Sequence, residues 1–299
     1  MTIESSLNQS YRPIEVIVVD NSSTDNTSEE VSRRFCGRVH YVRQPNRGDA
    51  GAYNTGFSMA SGEFIQFIDG DDVLSPTKIE KQMEIFSKDP AADIVYGDAR
   101  MFQTLAGPAN WIDPATREEN DIWNSLISSH VGISALGTLW HRRSLEKTGL
   151  WDETLYVADL DYFLRAAWAG CKYVHCPGGP MGFARVRPGQ MNSDTNAISR
   201  GLESVWHKAL GYVTREPYRS MIAAELARIR YMMALSRNIP RKDAIQFLAL
   251  ARETNSETVS KPVYAMTYAG ILVPALRISF LRKFRRAILR QFLAVTSEK

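Results

Sequence analysis

Cysteine is scarce in this sequence. The 299 residues hold three, Cys36, Cys171 and Cys176, and no two form a CxxC pair. That excludes a disulfide framework and a thiolate zinc site, and a reduced, cytoplasmic compartment is the expectation. Long apolar runs are missing too. None reaches the length of a membrane-spanning helix, and residues 1–12 are polar, unlike a secretion signal. The formal net charge is only +3, which gives no argument for nucleic acid as a partner. There is no internal repeat and no low-complexity tract. GxGxxG is absent as well: Gly48, Gly51 and Gly56 have other spacings and follow the second expected strand, so a nicotinamide-binding oxidoreductase finds no support. What is present in quantity is apolar material, 44% of the chain, enough for a sizeable core.

That material is organised around residues 64–72, Phe-Ile-Gln-Phe-Ile-Asp-Gly-Asp-Asp. An apolar, β-forming run that stops in acids reads as a buried strand. In open α/β sheets ligands sit beyond the carboxyl ends of strands. The acids Asp69, Asp71 and Asp72 repel one another there, and a divalent cation relieves that repulsion. Hard oxygen ligands suit Mg²⁺ or Mn²⁺, which in turn bind phosphates. The plain alternative is a turn with an acidic helix cap, but Ser75-Pro76 offers a better cap and first-turn pair immediately afterwards.

Upstream, residues 14–19 (Ile-Glu-Val-Ile-Val-Val) form an expected strand ending at Asp20, with a helix to follow and a second strand over 39–42. A glycine-rich loop, 44–56, opens a helix of small residues. The alternation of strands and helices predicts a parallel, doubly wound sheet. Downstream, Ile79, Met83 and Phe86 share a helix face, 93–96 is a further strand, and 103–135 is irregular with Trp111 and Trp123. Asp159 opens a helix that Gly170 closes, and 172–176 is a last short strand. From about residue 200 the chain turns helical, giving expected domains of 1–199 and 200–299. Ile222, Leu226, Ile229 and Met233 make an apolar stripe there. Leu281, Phe284, Ile288 and Phe292 line one side of a final segment whose other side carries Arg282, Lys283, Arg285, Arg286 and Arg290. A basic amphipathic helix of this kind suits peripheral contact with an anionic membrane face, and suits equally a solvated helix packed on its own domain.

Several of these stretches, in order, resemble family-2 glycosyltransferases. They are Val18-Val19-Asp20-Asn21-Ser22-Ser23-Thr24-Asp25, Asn46-Arg47-Gly48, Asn54-Thr55-Gly56, residues 60–72, Gly149-Leu150-Trp151-Asp152-Glu153, and residues 158–165. The resemblance covers about residues 2–195. It implies a GT-A fold, Rossmann-like with a mostly parallel sheet, and inverting transfer of a sugar from a nucleoside-diphosphate donor, UDP-linked by expectation, to a glycan, lipid-linked or other hydroxyl acceptor. By the same resemblance Asp20 contacts the nucleoside. Asp69-Gly70-Asp71 is the DxD motif, with Asp69 on ribose or metal and Asp71 on Mn²⁺ or Mg²⁺. Asn46, Arg47, Gly48 and Asn54 belong to the donor-binding loop and helix, although Arg47 suits a solvated loop equally well. Asp159 matches the general base. Arg185 and Arg187 fall where the family has an Arg-x-His before a loop, and Asp161 is expected to be structural or to orient the acceptor.

The chain also departs from the family pattern. The family opens with a central strand ending in a Pro-Thr-Tyr type turn, whereas this sequence starts in the helix that follows. The expectation is therefore a sheet short of its first strand. Ala158 replaces the usual Glu, and Tyr53 stands where Arg is common. These departures motivate the alternative of a catalytically impaired relative that only binds a glycan or protein partner.

Overall fold

The computed structural model describes residues 1–102, 110–111, 122–127, 133–187, 189–190, 194–236, 239–255 and 260–272. The chain divides into two compact units, Met1–Asp194 and Thr195–Lys299.

The first unit begins with α1 (Thr2–Leu7) and β1 (Ile17–Asp20), followed by α2 (Thr27–Phe35) and β2 (His40–Arg43). β1 and β2 pair in parallel, Ile17 opposite His40 and Asp20 opposite Arg43, so α2 is a crossover helix. Glu29 and Glu30 lie in its first turn and Arg33 and Arg34 in its last, both favourable to the helix dipole. Next come α3 (Gly48–Met59), β3 (Phe64–Ile65), β4 (Val73–Leu74), α4 (Lys78–Lys88), β5 (Ile94–Tyr96), β6 (Ala99–Phe102) and β7 (Asn110–Trp111). The unit is completed by α5 (Ile122–Ile127), β8 (Thr138–His141), α6 (Arg142–Thr148), α7 (Ala158–Trp168), β9 (Tyr173–His175) and β10 (Gly182–Arg185).

Among the described residues the strands form three sheets: β1-β2, β3-β8-β5-β9 and β4-β10-β6-β7. The parallel pattern expected from the sequence holds for β1 with β2, β5 with β9, and β6 with β10. β8 runs antiparallel to both β3 and β5, so the second sheet is mixed. Two expected strands are shorter than their apolar runs. Among the described residues 14–16 and 66–69 carry no ladder, β1 pairing there with β2 and β3 with β8. The expected Ser75-Pro76 cap is also corrected. α4 starts at Lys78 after Thr77 with no side-chain cap, and the Ser75 hydroxyl donates instead to the Pro180 carbonyl, 2.5 Å away.

α4 lays Ile79 and Phe86 into a core with Val95, Leu139, Cys176 and Met181. Each large apolar side chain removed from water contributes on the order of 1.5–3 kcal/mol. A second apolar body is aromatic. Trp151 stacks on Tyr162 with centroids 4.5 Å apart, Trp140 stacks on Phe163, and Phe67 and Tyr53 pack edge-on or tilted against this group. α7 ends as expected at Gly170, whose φ of +75° suits a residue without Cβ.

The second unit holds α8 (Thr195–Tyr212), α9 (Tyr218–Leu235), α10 (Arg241–Thr254) and α11 (Lys261–Leu272). The expected stripe on α9, Ile222, Leu226, Ile229 and Met233, is buried. Arg230 joins the helices by donating to Glu203 at 2.9 Å and to Thr254 at 2.6 Å. The basic stretch 281–292 lies outside the described residues. Among the described residues no helix is long and apolar enough to cross a membrane.

Candidate functional site

The site forms where the apolar run 64–68 ends. α3 places Asp49 and Tyr53 one turn apart, hence on one face. From that face the Tyr53 hydroxyl donates to Asp69 Oδ1, 2.5 Å away. Asp69 reaches solvent, yet the protein around it displaces enough water to raise its carboxyl above the usual range. The Tyr53 bond pulls it back, and the charges of Asp49, Asp71 and Asp159 push it up again. Asp49 is raised by the same two causes, burial and then Asp71. Four carboxyls, from α3, the 69–72 turn and α7, are thus within electrostatic reach of one another.

The turn itself is well anchored. The Asp72 amide donates to the Asp69 carbonyl at 3.2 Å, and the Thr2 hydroxyl to the Gly70 carbonyl at 2.9 Å. Asp71 pairs with Arg187 at 2.8 Å and accepts from Gln190 at 3.4 Å. Asp72 is buried and accepts the Arg185 amide at 3.0 Å. Burial raises its carboxyl to about 7, against that one bond, with Asp69 and Asp71 adding to the rise. β10 and the residues just after it therefore bring both expected arginines to this turn: Arg185 by its backbone, Arg187 by its guanidinium.

Asp159 sits half-buried in the first turn of α7, where its Oδ1 accepts the Leu160 amide at 2.8 Å. It is not the cap, since Val157 occupies that position. A helix start favours the anion of a carboxyl placed there. Burial instead raises it, the Leu160 and Asp159 amides pull it back, and Asp49 adds to the rise.

Other expected residues are held by their neighbours. Asp20 is buried: Oδ1 accepts the Ser23 amide at 2.7 Å, and Oδ2 accepts the Tyr41 hydroxyl and lies 3.8 Å from Arg43. Asn46 Oδ1 accepts from Asn21 and from the Gly48 amide, both at 3.0 Å, and shapes the loop ahead of α3. Arg47 forms a two-point pair with Glu153. Asn54 is buried, with its amide bonding both the carbonyl and the N–H of Trp151 and also Glu153, so it ties α3 to 151–153. Asp161 is 1% exposed and pairs with Arg165 at 2.8 Å. Arg165 also donates to the Thr148 and Leu150 carbonyls, so Asp161 is tied through it to 148–150.

Sequence reasoning missed Asp49 and gave Tyr53 no role. Their spacing of four on a short glycine-rich helix was the available signal. Among the described residues no three His, Cys, Asp or Glu side chains form a ready-made metal cage. Mg²⁺ and Mn²⁺ are commonly held by one or two carboxylates with substrate phosphates completing the shell. Asp69 and Asp71, crowded by like charges, fit that donor set.

The comparisons agree with this architecture. The family model described as Glycosyl transferase family 2 matches residues 1–138. An uncharacterised glycosyltransferase of Nostoc sp. is 33% identical over 141 residues, 46% of this chain and 42% of that protein. The chain spans less than half the length of such curated relatives. Among solved structures, S. aureus TarS 1-349 in complex with UDP-GlcNAc is similar with a TM-score of 0.64 and 15% identity, covering 90% of this chain and 86% of that one. The mannosyltransferase PcManGT from Pyrobaculum calidifontis, in complex with GDP-Man and Mn²⁺, gives 0.57 and 18%, over 92% and 77%. At such identities these two likenesses speak for the fold: α/β, GT-A-like, with a helical C-terminal region. Residues 1–138 match the model of glycosyl transferase family 2, and the chain has the GT-A-like fold of these solved structures.

Proposed function

We propose that the chain transfers a sugar from a nucleoside-diphosphate donor to a hydroxyl of a glycan or lipid-linked acceptor, with inversion. The observation that carries this reading is the grouping of Asp49, Asp71 and Asp159 around Asp69 at the end of the 64–68 run. Structural neighbours bound to UDP-GlcNAc and to GDP-Man with Mn²⁺ support the donor class. Asp159 takes the acceptor proton. The acceptor oxygen bonds the anomeric carbon as the bond from that carbon to the diphosphate oxygen breaks, and the electron pair leaves on the diphosphate. A carboxyl raised above its ordinary range is better matched to receiving a proton near neutral pH than a strongly acidic one. Asp69 and Asp71 would hold a divalent ion, which when bound offsets charge on the leaving group. Arg187, already on Asp71, adds a guanidinium within reach of that charge. Asp20 and the Asn46–Gly48 loop hold the nucleoside end. The cytoplasm is the compartment this reading uses, with residues 281–292 as peripheral membrane contact.

The test is turnover of a panel of nucleotide sugars with Mn²⁺, in the presence and absence of hydroxyl acceptors, by the full chain and by Asp71→Ala. A loss of about a hundredfold or more in the variant supports the reading, and equal turnover contradicts it. A second reading, a relative that binds a partner without turnover, is favoured by Ala158 and by the open slot that lies beside Asp69 between β1 and β3. Calorimetry separates the two: a folded sample that binds neither UDP nor Mn²⁺ favours the second.

A further inference from the structure

Lys78 lies in the first turn of α4 and is fully buried, yet among the described residues no carboxylate pairs with it. The first turn is also the wrong end of a helix for a cation. Its Nζ donates to three oxygens instead: Gln66 Oε1, Gln82 Oε1 at 2.5 Å and the Thr138 carbonyl at 3.2 Å. What lies behind each amide fixes its orientation. Gln66 Nε2 donates to the Phe67 carbonyl and to that of Ala135 at 3.1 Å. Gln82 Nε2 donates to the Val95 and Gly137 carbonyls at 3.0 and 2.9 Å. Carbonyls only accept, so each nitrogen faces them and each Oε1 faces Lys78. Three acceptors around one nitrogen call for three N–H donors, which an ammonium has and a neutral amine lacks. Two arms leave this point. The Gln82 arm stays in the core, on β5 and residues 137–138. The Gln66 arm ends in the 64–68 run, just ahead of Asp69. Among the described residues 66–69 form no ladder, so side chains hold this segment. The Phe67 ring packs on Tyr53 and Trp151, and the Gln66 amide joins Lys78 to Ala135.

We infer that Lys78 is a positioning residue: as a buried ammonium it fixes Gln66, and through Gln66 the segment 66–69 that sets Asp69 among the other acids. Stability alone does not select a lysine here, because replacing a buried charge and its partners by apolar side chains is often neutral or stabilising. An apolar side chain would fill the same space and leave the Gln66 oxygen unheld. Burial draws the ammonium well below the ordinary lysine range. The Cys176 thiol, the titratable group whose charge reaches it among the described residues, opposes that fall. The three acceptor oxygens favour the charged form as well. The consequence for donor binding rests on the sugar-transfer reading, whereas the hold on 66–69 does not.

The test sets the full chain beside Lys78→Met, Gln66→Leu and Gln82→Met, with amide exchange followed at 66–69 and at 94–96. Lys78→Met and Gln66→Leu are each expected to lower protection at 66–69 about fivefold or more. The double variant falls no further than the lower single one, since the two residues act in series. Gln82→Met lowers protection at 94–96 and leaves 66–69 within about twofold. The Asp69 side-chain carbon shift moves in the first two variants and stays in the third. The side-chain nitrogen shift of Lys78 in the wild-type chain reports an ammonium near neutral pH. Calorimetry with UDP and Mn²⁺ on the same samples is expected to show affinity about tenfold weaker for Lys78→Met and Gln66→Leu alone. Should Lys78→Met fail to fold, the wild-type chain decides. Its protection at 66–69, corrected for the intrinsic rate, falls as rising pH takes the proton from Lys78, and does so equally in Cys176→Ala. Unchanged protection at 66–69 in a folded Lys78→Met protein overturns the inference. So does an equal loss there in Gln82→Met, a neutral amine at Lys78 near neutral pH, or protection indifferent to the loss of its proton. A wild-type chain that binds no UDP counts against the sugar-transfer reading, and the exchange comparison still decides this one.

Discussion

Tyr53 Oη and Asp69 Oδ1 lie 2.5 Å apart, and this one hydrogen bond couples the aromatic cluster to the acid cluster. Tyr53 packs on Phe67 at 4.9 Å and on Trp151 at 5.0 Å between ring centroids, so its hydroxyl is aimed by rings that are themselves fixed. Because the bond stabilises the ionised carboxylate, it acts against the rise that burial and three neighbouring acids impose on Asp69.

Tyr53→Phe keeps the ring packing and removes that donor. The Asp69 carboxyl is expected to titrate at a higher pH, which NMR titration of its side-chain carbon reads directly. Binding of UDP with Mn²⁺ is expected to weaken about three- to tenfold, since a bond to a charged group is worth on the order of 1.5–3 kcal/mol when fully buried and less beside solvent. The denaturation midpoint should move little.

Asn54→Ala tests the tie between α3 and residues 151–153. The change leaves the Trp151 N–H, buried with its residue, without the partner that holds it at 2.9 Å. A loss of about 2–4 kcal/mol is expected, because the cost includes unpaired buried groups as well as lost bonds. Urea denaturation measures it. A change below about 0.5 kcal/mol would remove Asn54 from its structural role and return it to the donor-binding candidates.

Gly137→Ala is expected to destabilise the fold by about 2 kcal/mol or more. A Cβ there would press on the backbone carbonyl of Gly97, which accepts no easy shift because Gly97 N itself donates to the Gly137 carbonyl at 3.0 Å. Thermal melting against wild type reads the effect.

Asp20 gives the pH dependence. Burial raises its carboxyl, but Tyr41, Ser23 and Arg43 together outweigh burial and leave it below its ordinary 3.8. The folded state therefore releases this proton more readily than the unfolded chain. The resulting stability is fully present above about pH 4 and is lost as pH falls through the lower folded value. Asp20→Asn should lower the melting temperature at pH 7 and flatten the acid limb below pH 4. An unchanged acid limb would show that another carboxyl governs it.

The strand-then-acids pattern of 64–72 was legible because a β-forming run that stops in three carboxylates suits a buried element with a polar site at its tip, and suits little else. The helices were legible where the apolar period was clean, as on α4 and α9. The length of β1 and β3 was not, because a strand needs a partner as well as a composition, and among the described residues 14–16 and 66–69 form no ladder. Ser75 has the composition of a cap, yet a nearby carbonyl at Pro180 took its hydroxyl. Asn54 and Asp161 carry polar side chains in matching motifs, but their partners, Trp151 and Arg165, settle their geometry. Lys78 is the clearest case of tertiary override. It is fully buried and donates to Gln82, one turn on in α4, at 2.5 Å and to the distant Thr138 carbonyl at 3.2 Å. Burial holds its ammonium well below the ordinary lysine range.

The central claim is that the carboxyls at the end of the 64–68 run carry sugar transfer, with Asp159 as the proton acceptor. Its most direct test is single-turnover transfer by Asp159→Asn beside wild type, with donor affinity measured on the same samples. A fall of about 10²–10⁴ in rate at donor affinity within threefold is the expected result. Transfer at the wild-type rate by a folded Asp159→Asn protein would contradict the assignment.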